Sequence, residues 1–445
     1  MNNLLINIGI MNGKSIKITF HSCYICEKKI IGEQEVILKE DALFWNGKTF
    51  DTLVFIPSEH EASFSLENVT IGKKFHWERH ERQTFHGRLK LIVHDKQIYA
   101  INTLPIEDYL ESVISSEMSA EAPLEFLKAH SIISRSWVVS MIERNNRNNK
   151  VSDIKTQYKD IENDEAYIKW YDHEDHSLFD VCGDDHCQRY QGIIRISNKR
   201  AKEAVRSTKG MVLSYNGEIC DTRFSKCCGG ISEEYSACWE DKNIPYLKSF
   251  FDNNKSEYIL PNLKDEKEAR KWILSDLESF CNTKDKRIIT QIMNNYDIED
   301  TDFYRWTVKL SQEEITKFIS EKTGLNIGSI KDINPIERGK SGRIIRLQIV
   351  GTQRTIIIGK ELEIRRILSK SHLKSSAFII EKIYSSKDKA LPSYFILHGA
   401  GWGHGVGLCQ IGAAVMATKG MNYKEILYHY YPGTSIHDLQ DLIQK

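Results

Sequence analysis

The sequence of 445 residues predicts a mixed α/β (α+β) protein, and three observations carry this prediction. Short β-like runs alternate with turns through residues 1–86, which is typical of strands. Apolar residues at helical spacing follow in residues 104–140, and alternating β-branched runs return at residues 343–350 and 355–358. The length exceeds what one hydrophobic core usually serves, so we expect several packed units.

These patterns divide the chain into four parts. They are an N-terminal β module (residues 1–86), a part with the central helices (87–258), a charged helical insert or outer lobe (259–335) and a C-terminal part with a glycine-rich segment (336–445). Within the insert, Ser311 and Glu314 predict a capping box at the start of a helix, and Gly324 predicts its end.

The composition excludes some classes of protein. Hydrophobic residues make up 41% and charged residues 27%, as in globular proteins. Lysine plus arginine and aspartate plus glutamate both number 61, so no excess basic field exists to bind nucleic acid as the main partner. No apolar run reaches the length of a membrane span. No signal peptide is visible, because the first residues lack a basic region and a cleavage site and predict a strand instead.

The ten cysteines are clustered, which favours local sites over a disulfide framework. Cys23 and Cys26 form a C-x-x-C pair, but no second pair follows at the spacing of a zinc ribbon. We interpret these two as ordinary strand or turn cysteines.

The central segment predicts two helices with a carboxylate at the break between them. Apolar residues recur at helical spacing from Ile106 to Ile114, and the pattern fails at residues 117–122. Pro123 starts a second helix that is apolar nearly all round and should be buried. Partial desolvation of Glu117 at this break would raise its pKa towards that of a general acid. The alternative is a solvated helix charge.

Four metal ligands fall within twelve residues, namely His176, Cys182, His186 and Cys187. Two imidazoles and two thiolates suit tetrahedral Zn²⁺. Neighbouring side chains of a strand point to opposite faces, so a bulge or turn at Gly183 is needed to bring His186 and Cys187 to one ion. The alternatives are a disulfide, or a reduced pair of cysteines with surface histidines.

The segment from Gly399 to Gly412 holds six glycines in fourteen residues. No lysine follows as in a Walker motif, and too little chain remains for a dinucleotide-binding fold. Alternate glycines instead allow a ligand to approach the backbone closely. Trp402 offers a flat apolar face to a sugar ring, whereas His404 taken alone is more often structural than catalytic.

Several of these motifs occur together in one known family. They are Ser116-Glu117-Met118, Leu127-Lys128-Ala129 with Ser134-Arg135-Ser136-Trp137, the segment from His176 to Gln188, and the glycine-rich run with Trp402, His404 and Gln410. In this order they resemble the SpoIID/LytB family of stage II sporulation protein D and amidase enhancers, over about residues 88–435. Active members are lytic transglycosylases that cut the glycan strands of peptidoglycan. The resemblance implies two lobes around a long groove, with the N-terminal β module appended.

The resemblance also implies roles for single residues. Glu117 would be the one acid/base that cleaves the MurNAc–GlcNAc bond and leaves a 1,6-anhydro-MurNAc end, on intact or peptide-stripped strands. One structural Zn²⁺ would be bound by His176, Cys182, His186 and Cys187, because a site with four protein ligands is closed to water. The substrate-binding residues would be Arg135, Gln188, Trp402, His404 and Gln410. We expect Arg135, on a buried helix, to orient Glu117 or a substrate carboxylate.

The sequence departs from the family pattern at three positions, where Cys227, Cys228 and Cys409 replace small polar residues. Their effect on substrate contacts is open.

Two other functions also compete with the transglycosylase. One is a non-catalytic glycan-binding activator of a cell-wall amidase. The other is a zinc hydrolase, which requires water in place of one of the four ligands. The resemblance places the protein in the cell envelope, periplasm or extracellular space, with glycan strands and an amidase as partners.

Overall fold

The computed structural model describes residues 4–73, 78–119, 121–150, 160–163, 165–169, 176–184, 186–193, 199–254, 259–292, 302–386 and 390–443. The first half contains β1 (Leu5–Gly13), β2 (Ser15–Cys26), β3 (Lys28–Lys39), β4 (Ala42–Trp45), β5 (Lys48–Phe50), β6 (Thr52–Pro57), β7 (Ser63–Ile71), β8 (Arg79–His86), β9 (Arg88–His94), β10 (Gln97–Pro105), α1 (Ile106–Glu117), α2 (Leu124–Lys150), β11 (Ile161–Glu162), β12 (Ala166–Ile168), β13 (Val181–Cys182), α3 (Lys199–Ser207), β14 (Met211–Tyr215), β15 (Glu218–Ile219) and β16 (Phe224–Ser225).

The second half contains α4 (Glu266–Ile273), α5 (Lys286–Ile292), β17 (Arg305–Ser311), α6 (Gln312–Thr323), β18 (Ile330–Arg338), β19 (Ile344–Gly351), β20 (Thr355–Gly359), α7 (Glu361–Ile367), β21 (Phe378–Tyr384), β22 (Pro392–Ala400), β23 (Leu408–Cys409), α8 (Gln410–Thr418), α9 (Tyr423–Tyr430), β24 (Ser435–Asp438) and α10 (Leu439–Ile443). The predicted mixed α/β class and the N-terminal strand module are confirmed.

The N-terminal strands form an 11-stranded sheet in which the order is β13-β1-β10-β9-β6-β2-β3-β4-β5, while β7 pairs with β2 and β8. The sheet continues past residue 86, because β9 pairs with β6 and β10 pairs with β1. The short strand β13 adds in parallel to β1, where Gly9 is opposite Cys182. The module therefore carries one end of the predicted metal-binding segment, although the domain boundaries themselves stay a prediction.

Buried aromatic rings fill the interior of this module. Phe20 packs 4.7 Å from Tyr24 and 5.0 Å from Phe55, measured between ring centroids. Phe64 lies 5.6 Å from Phe85 in the same cluster. Each such ring contributes about 1.5–3 kcal/mol when it leaves water. These rings belong to the same hydrophobic cluster as the buried faces of α1 and α2.

The two central helices form as predicted. Helix α1 ends at Glu117, and its apolar face is fully buried at Tyr109, Leu110 and Val113. Helix α2 begins one residue after Pro123 and packs against α1, α3 and β14. The extended backbone of the C-cap residue of α1, Met118, ends the helix and leaves Glu117 at its last turn.

The segment from residue 259 to 335 is not wholly helical, which corrects that part of the prediction. It contains α4, α5 and α6, but also β17, which pairs with β22, and the strand β18, which pairs with β19. The capping box of Ser311 and Glu314 is confirmed, as is the end of α6 at Gly324, whose φ is +72°. Both strands join the segment to the C-terminal part through shared sheets.

Among the described helices, none combines the length and apolar character needed to cross a membrane.

Candidate active site

A groove of about 670 Å³ lies where the end of α1, the turn after β13 and the glycine-rich segment meet. Its lining includes Glu117, Arg189, Lys226, Trp402, His404 and Gln410, together with the four predicted metal ligands. The structure thus brings residues that are nearly 300 positions apart in the sequence to one surface.

Glu117 is half-buried in this groove, at the last residue of α1. The backbone N–H of Arg189 donates a hydrogen bond of 2.9 Å to its Oε1 atom. The ammonium group of Lys226, which also lines the groove, lies 3.5 Å from Sδ of the adjacent Met118. A fixed carboxyl group beside a groove is what a general acid requires.

The predicted metal ligands converge, with the four ligand atoms all within 4.8 Å of one another. The Sγ atom of Cys187 lies 3.4 Å from Nε2 of His176 and 3.5 Å from Nδ1 of His186. The Sγ atom of Cys182 lies 3.9 Å from the same Nδ1 atom. Tetrahedral Zn²⁺, with bonds of about 2.0–2.3 Å, places its ligand atoms about 3.3–3.8 Å apart. The donor set therefore fits zinc in both chemistry and spacing.

A turn places the two adjacent ligands on one side, as zinc binding requires. The backbone N–H of Cys187 donates to the carbonyl of Asp184 at 3.0 Å, and Gly183 N–H donates to Gly9 of β1 at 3.0 Å. Hydrogen bonding with Cys187 and with the two imidazoles lowers the pKa of the Cys182 thiol, in the direction of the thiolate that a metal binds. Cys23 and Cys26 belong to no such ligand set in the described part of the chain.

Trp402 and His404 project from the glycine-rich segment into the groove. The backbone of Trp402 exchanges two hydrogen bonds with Cys227, of 2.8 and 2.9 Å. Nδ1 of His404 accepts a hydrogen bond of 3.0 Å from the N–H of Val406, and the ring stands edge-on to Trp239 at 4.8 Å. Burial, followed by the charge of Arg223, lowers the pKa of His404 well below 6.5. Its ring is therefore neutral, and Nε2 carries the proton.

The alternate glycines of this segment lie against other parts of the protein. A Cβ atom on Gly405 would lie 2.5 Å from the guanidinium carbon of Arg343, and one on Gly407 would lie 2.0 Å from the carbonyl oxygen of Arg223. Arg343 is fully buried and donates to the carbonyl of Gly403 at 3.2 Å. The predicted close approach is thus made by a buried arginine beneath the segment, which corrects the expectation that a ligand makes it.

Gln410 lines the groove and is also anchored behind it. Its Nε2 atom lies 3.1 Å from Nε2 of His130 on α2. Burial lowers the pKa of His130 to about 3, so this ring is neutral. The amide of Gln410 can therefore donate to the ring nitrogen, which fixes the first residue of α8 against α2.

The structure does not place Arg135 at Glu117. Its Nε and Nη2 atoms donate to the two carboxylate oxygens of Glu107 at 2.9 and 2.7 Å, and Nη1 donates to the carbonyl of Met211 at 3.0 Å. The side chain is fully buried and does not line the groove. We therefore correct its predicted role, because Arg135 joins the start of α1 to α2 and β14.

Gln188 is likewise not a groove residue. Its side chain is fully buried, where Tyr109 O–H donates to its Oε1 atom at 3.1 Å and its Nε2 atom donates to the carbonyl of Ser134 at 3.4 Å. The adjacent Arg189 lines the groove instead. No motif points to Arg189, since its contribution is a backbone N–H whose direction depends on the turn before it.

Comparison with known proteins extends these observations. The family described as "Stage II sporulation protein" matches residues 94–215, which include Glu117 and the four predicted metal ligands. A "Domain of unknown function (DUF8618)" matches residues 233–407. Stage II sporulation protein D of Bacillus subtilis (strain 168) is 23% identical over 402 residues, which cover 88% of this chain and 93% of that protein. These matches support the resemblance of the chain to the SpoIID/LytB family.

Other relatives differ in how much of their length they share with this chain. An uncharacterized protein of Brachyspira hyodysenteriae (strain ATCC 49526 / WA1) is 26% identical over 354 residues, which cover 80% of this chain and 72% of that protein. The amidase enhancer of Bacillus subtilis (strain 168) is 24% identical over 245 residues, which cover 54% of this chain and 33% of that protein.

Proposed function

We propose that this protein acts on the cell wall as a lytic transglycosylase of peptidoglycan glycan strands, with Glu117 as its single acid/base. The observation that carries the proposal is the half-buried Glu117 carboxylate in the groove, fixed by the N–H of Arg189. The family-model match over residues 94–215 supports a role at the cell wall, and the site supports the kind of reaction. Such a substrate places the protein in the cell envelope or outside the cell.

The other acidic side chains of the groove are engaged in structural hydrogen bonds. Oδ2 of Asp180 accepts from both nitrogens of Asn7, at 2.8 and 3.1 Å. The two oxygens of Asp184 accept from two backbone N–H groups that follow β7, at 2.9 and 3.0 Å. These contacts favour a reaction that needs one carboxyl group over hydrolysis, which ordinarily uses two.

The proposed reaction conserves protons and uses no water. Protonated Glu117 donates to the glycosidic oxygen as the bond from that oxygen to C1 breaks, and the muramyl ring gains oxocarbenium character. The resulting carboxylate accepts the proton of the muramyl 6-hydroxyl, whose oxygen bonds to C1 and closes the 1,6-anhydro ring. Glu117 thereby regains its proton at the end of each cycle.

The groove also offers contacts for an anionic polysaccharide. Its basic side chains outnumber the three acidic ones and are Lys73, Arg189, Arg223, Lys226 and Arg365. Muramyl sugars carry a carboxylate on the lactyl group, or on the stem peptide where one is attached, and these charges suit basic side chains. Trp402 supplies the apolar face on which a sugar ring can pack.

We also propose one structural Zn²⁺ at His176, Cys182, His186 and Cys187. Bound there, the ion would cross-link the turn after β13, two residues before Arg189, and the N–H of Arg189 holds Glu117. Four protein ligands leave no position for water, which favours this structural role over a zinc hydrolase.

Product analysis tests the function. Purified glycan strands, intact and peptide-stripped, are incubated with the wild type, Glu117→Gln and the exposed neighbour variant Glu121→Gln, and the products are identified by mass spectrometry. We expect anhydromuramyl ends from the wild type and Glu121→Gln, and at least about 100-fold fewer from Glu117→Gln. Reducing ends from the wild type would contradict the proposal.

The second candidate function is that of a glycan-binding activator of an amidase, favoured by the relative named amidase enhancer. It needs the groove but not the proton of Glu117. If Glu117→Gln binds strands and stimulates an amidase as the wild type does, and neither cuts glycan, this second function holds.

A further inference from the structure

A second group of metal-binding side chains lies in the interior, apart from the set at His176–Cys187. Its members are Cys228, Asp252, Cys281 and Cys409, which we call the buried thiol cluster. One ligand atom from each lies within 4.8 Å of those of the other three, and every member is at most 1% exposed. The members come from the turn after β16, the loop before α4, the loop before α5 and the last residue of β23.

The geometry within the cluster matches that of a tetrahedral ion. Sγ of Cys228 lies 3.6 Å from Sγ of Cys281, near the separation of about 3.8 Å between two sulfurs on one Zn²⁺. Sγ of Cys409 accepts from the backbone N–H of Cys228 at 3.2 Å and from that of Gly412 at 3.5 Å. Such N–H contacts orient and stabilise a thiolate ligand.

The carboxylate of the cluster is oriented in the same way. Oδ2 of Asp252 accepts from the N–H of Cys281 at 3.1 Å, while its Oδ1 atom accepts from the hydroxyl of Tyr430 at 2.6 Å. Among the described residues, the ion-pair contact of Asp252 is with the ring of His429, 3.6 Å away, and not with a lysine or arginine. A carboxylate buried in this way is costly unless a cation compensates it.

The cluster also gives a physical reason for departures from the family pattern. Cys228 and Cys409, which replace small polar residues, are two of its members, and Cys227 is fully buried beside them. Cys281, in no recognised motif, supplies the third thiol. Three thiols and one carboxylate form a soft donor set that selects Zn²⁺ over Mg²⁺ or Ca²⁺.

We propose that the buried thiol cluster binds a second zinc ion. With four protein ligands the site is closed and structural. It cross-links the turn that carries Lys226 with the N-terminus of α8, where Gln410 begins the helix, and so fixes two residues that line the groove. This inference is independent of the reaction proposed for Glu117.

Zinc content measured on purified full-length protein, by inductively coupled plasma mass spectrometry, tests the proposal. The variant Cys182→Ser/Cys187→Ser leaves the buried thiol cluster intact, and we expect it to retain one zinc per chain. Cys281→Ser should hold one zinc fewer than the wild type, whereas Cys220→Ser, a buried cysteine outside both sets, should match the wild type. A folded Cys182→Ser/Cys187→Ser variant without zinc would overturn the proposal.

A measurement on the wild type alone covers the case in which the variants fail to fold. Thiols are titrated in denaturant with a chelator and no reductant. We expect all ten cysteines to react and two zinc ions per chain to be released. If two thiols fewer react and the peptide map contains a Cys228–Cys281 disulfide, these two cysteines form a disulfide instead of a metal site, and the proposal is wrong. Ten thiols with no zinc would also contradict the proposal.

Discussion

The backbone N–H of Arg189 donates a 2.9 Å hydrogen bond to Oε1 of Glu117. Arg189 follows the predicted metal ligand Cys187 by two residues, whereas Glu117 is the last residue of α1. The end of α1 and the turn after β13 therefore hold the carboxylate from two directions. The position of the proposed acid depends on the turn as much as on its own helix.

Loss of the metal at this turn should weaken cleavage. We expect Cys182→Ser to hold one zinc fewer per chain and to lower kcat about 10-fold to 100-fold, because the N–H that orients Glu117 loses its support. Cys23→Ser, which alters a cysteine outside both ligand sets, is the matched control. A folded Cys182→Ser protein that lacks this zinc but cleaves at the wild-type rate would show that the turn needs no ion.

The ion pair of Arg135 and Glu107 should matter for folding and not for substrate binding. Glu107→Gln leaves a fully buried guanidinium without its counter-ion, which we expect to lower the free energy of unfolding by about 3 kcal/mol. Arg206→Ala removes a pair whose arginine is 73% exposed, and it should cost less than about 1 kcal/mol. Urea denaturation compares the two variants, and equal losses would contradict the assignment.

The glycine-rich segment should tolerate no side chain above Arg343. Gly405→Ala combines a φ of +76° with a Cβ atom 2.5 Å from that guanidinium, whereas Gly420→Ala has a φ of +88° and open space around it. Both substitutions strain the backbone, so the difference between them isolates the steric clash. We expect Gly405→Ala to be less stable by a further 1–3 kcal/mol, about the cost of overpacking. Equal melting temperatures would show that Arg343 moves aside freely.

Stability should fall in acid because of His130. The folded protein holds this ring neutral, with its pKa lowered by burial to about 3, whereas the unfolded chain protonates it near 6.5. The unfolded state therefore binds more protons between these values, and the free energy of unfolding falls as pH falls from 6.5 to 3. The contribution is at most about 1.4 kcal/mol per pH unit. In urea denaturation at several pH values, His130→Gln should show a shallower slope across this window. An unchanged slope would assign the effect to other groups.

Much of the fold could be predicted from local patterns. The apolar period and Pro123 predict α1 and α2, and the capping box predicts the start of α6. The pairing of β1 with β13 could not be predicted, because residues 8–9 and 181–182 carry no local signal for each other. The strands β17 and β18 were missed because charged helices surround them in the sequence.

The candidate site could likewise be predicted only in part from the sequence. Motifs identified Glu117, Trp402 and His404, which the structure brings to one groove, although their roles stay proposals. Arg135 was assigned to the wrong carboxylate, because both ends of α1 carry a glutamate and the sequence cannot tell which end faces α2. Cys281 could not be joined to Cys228 or Cys409 without the fold, since only tertiary packing places the three thiols together.

The mass of the new chain ends tests the central claim most directly. Wild-type protein is incubated with glycan strands in ¹⁸O-labelled water, beside Glu117→Gln and Glu121→Gln. Cleavage through Glu117 alone predicts ends lighter by one water, with no ¹⁸O, from the wild type and Glu121→Gln but not from Glu117→Gln. Ends that carry ¹⁸O and a full reducing hydroxyl would show that water is the nucleophile and would contradict the single-carboxylate account.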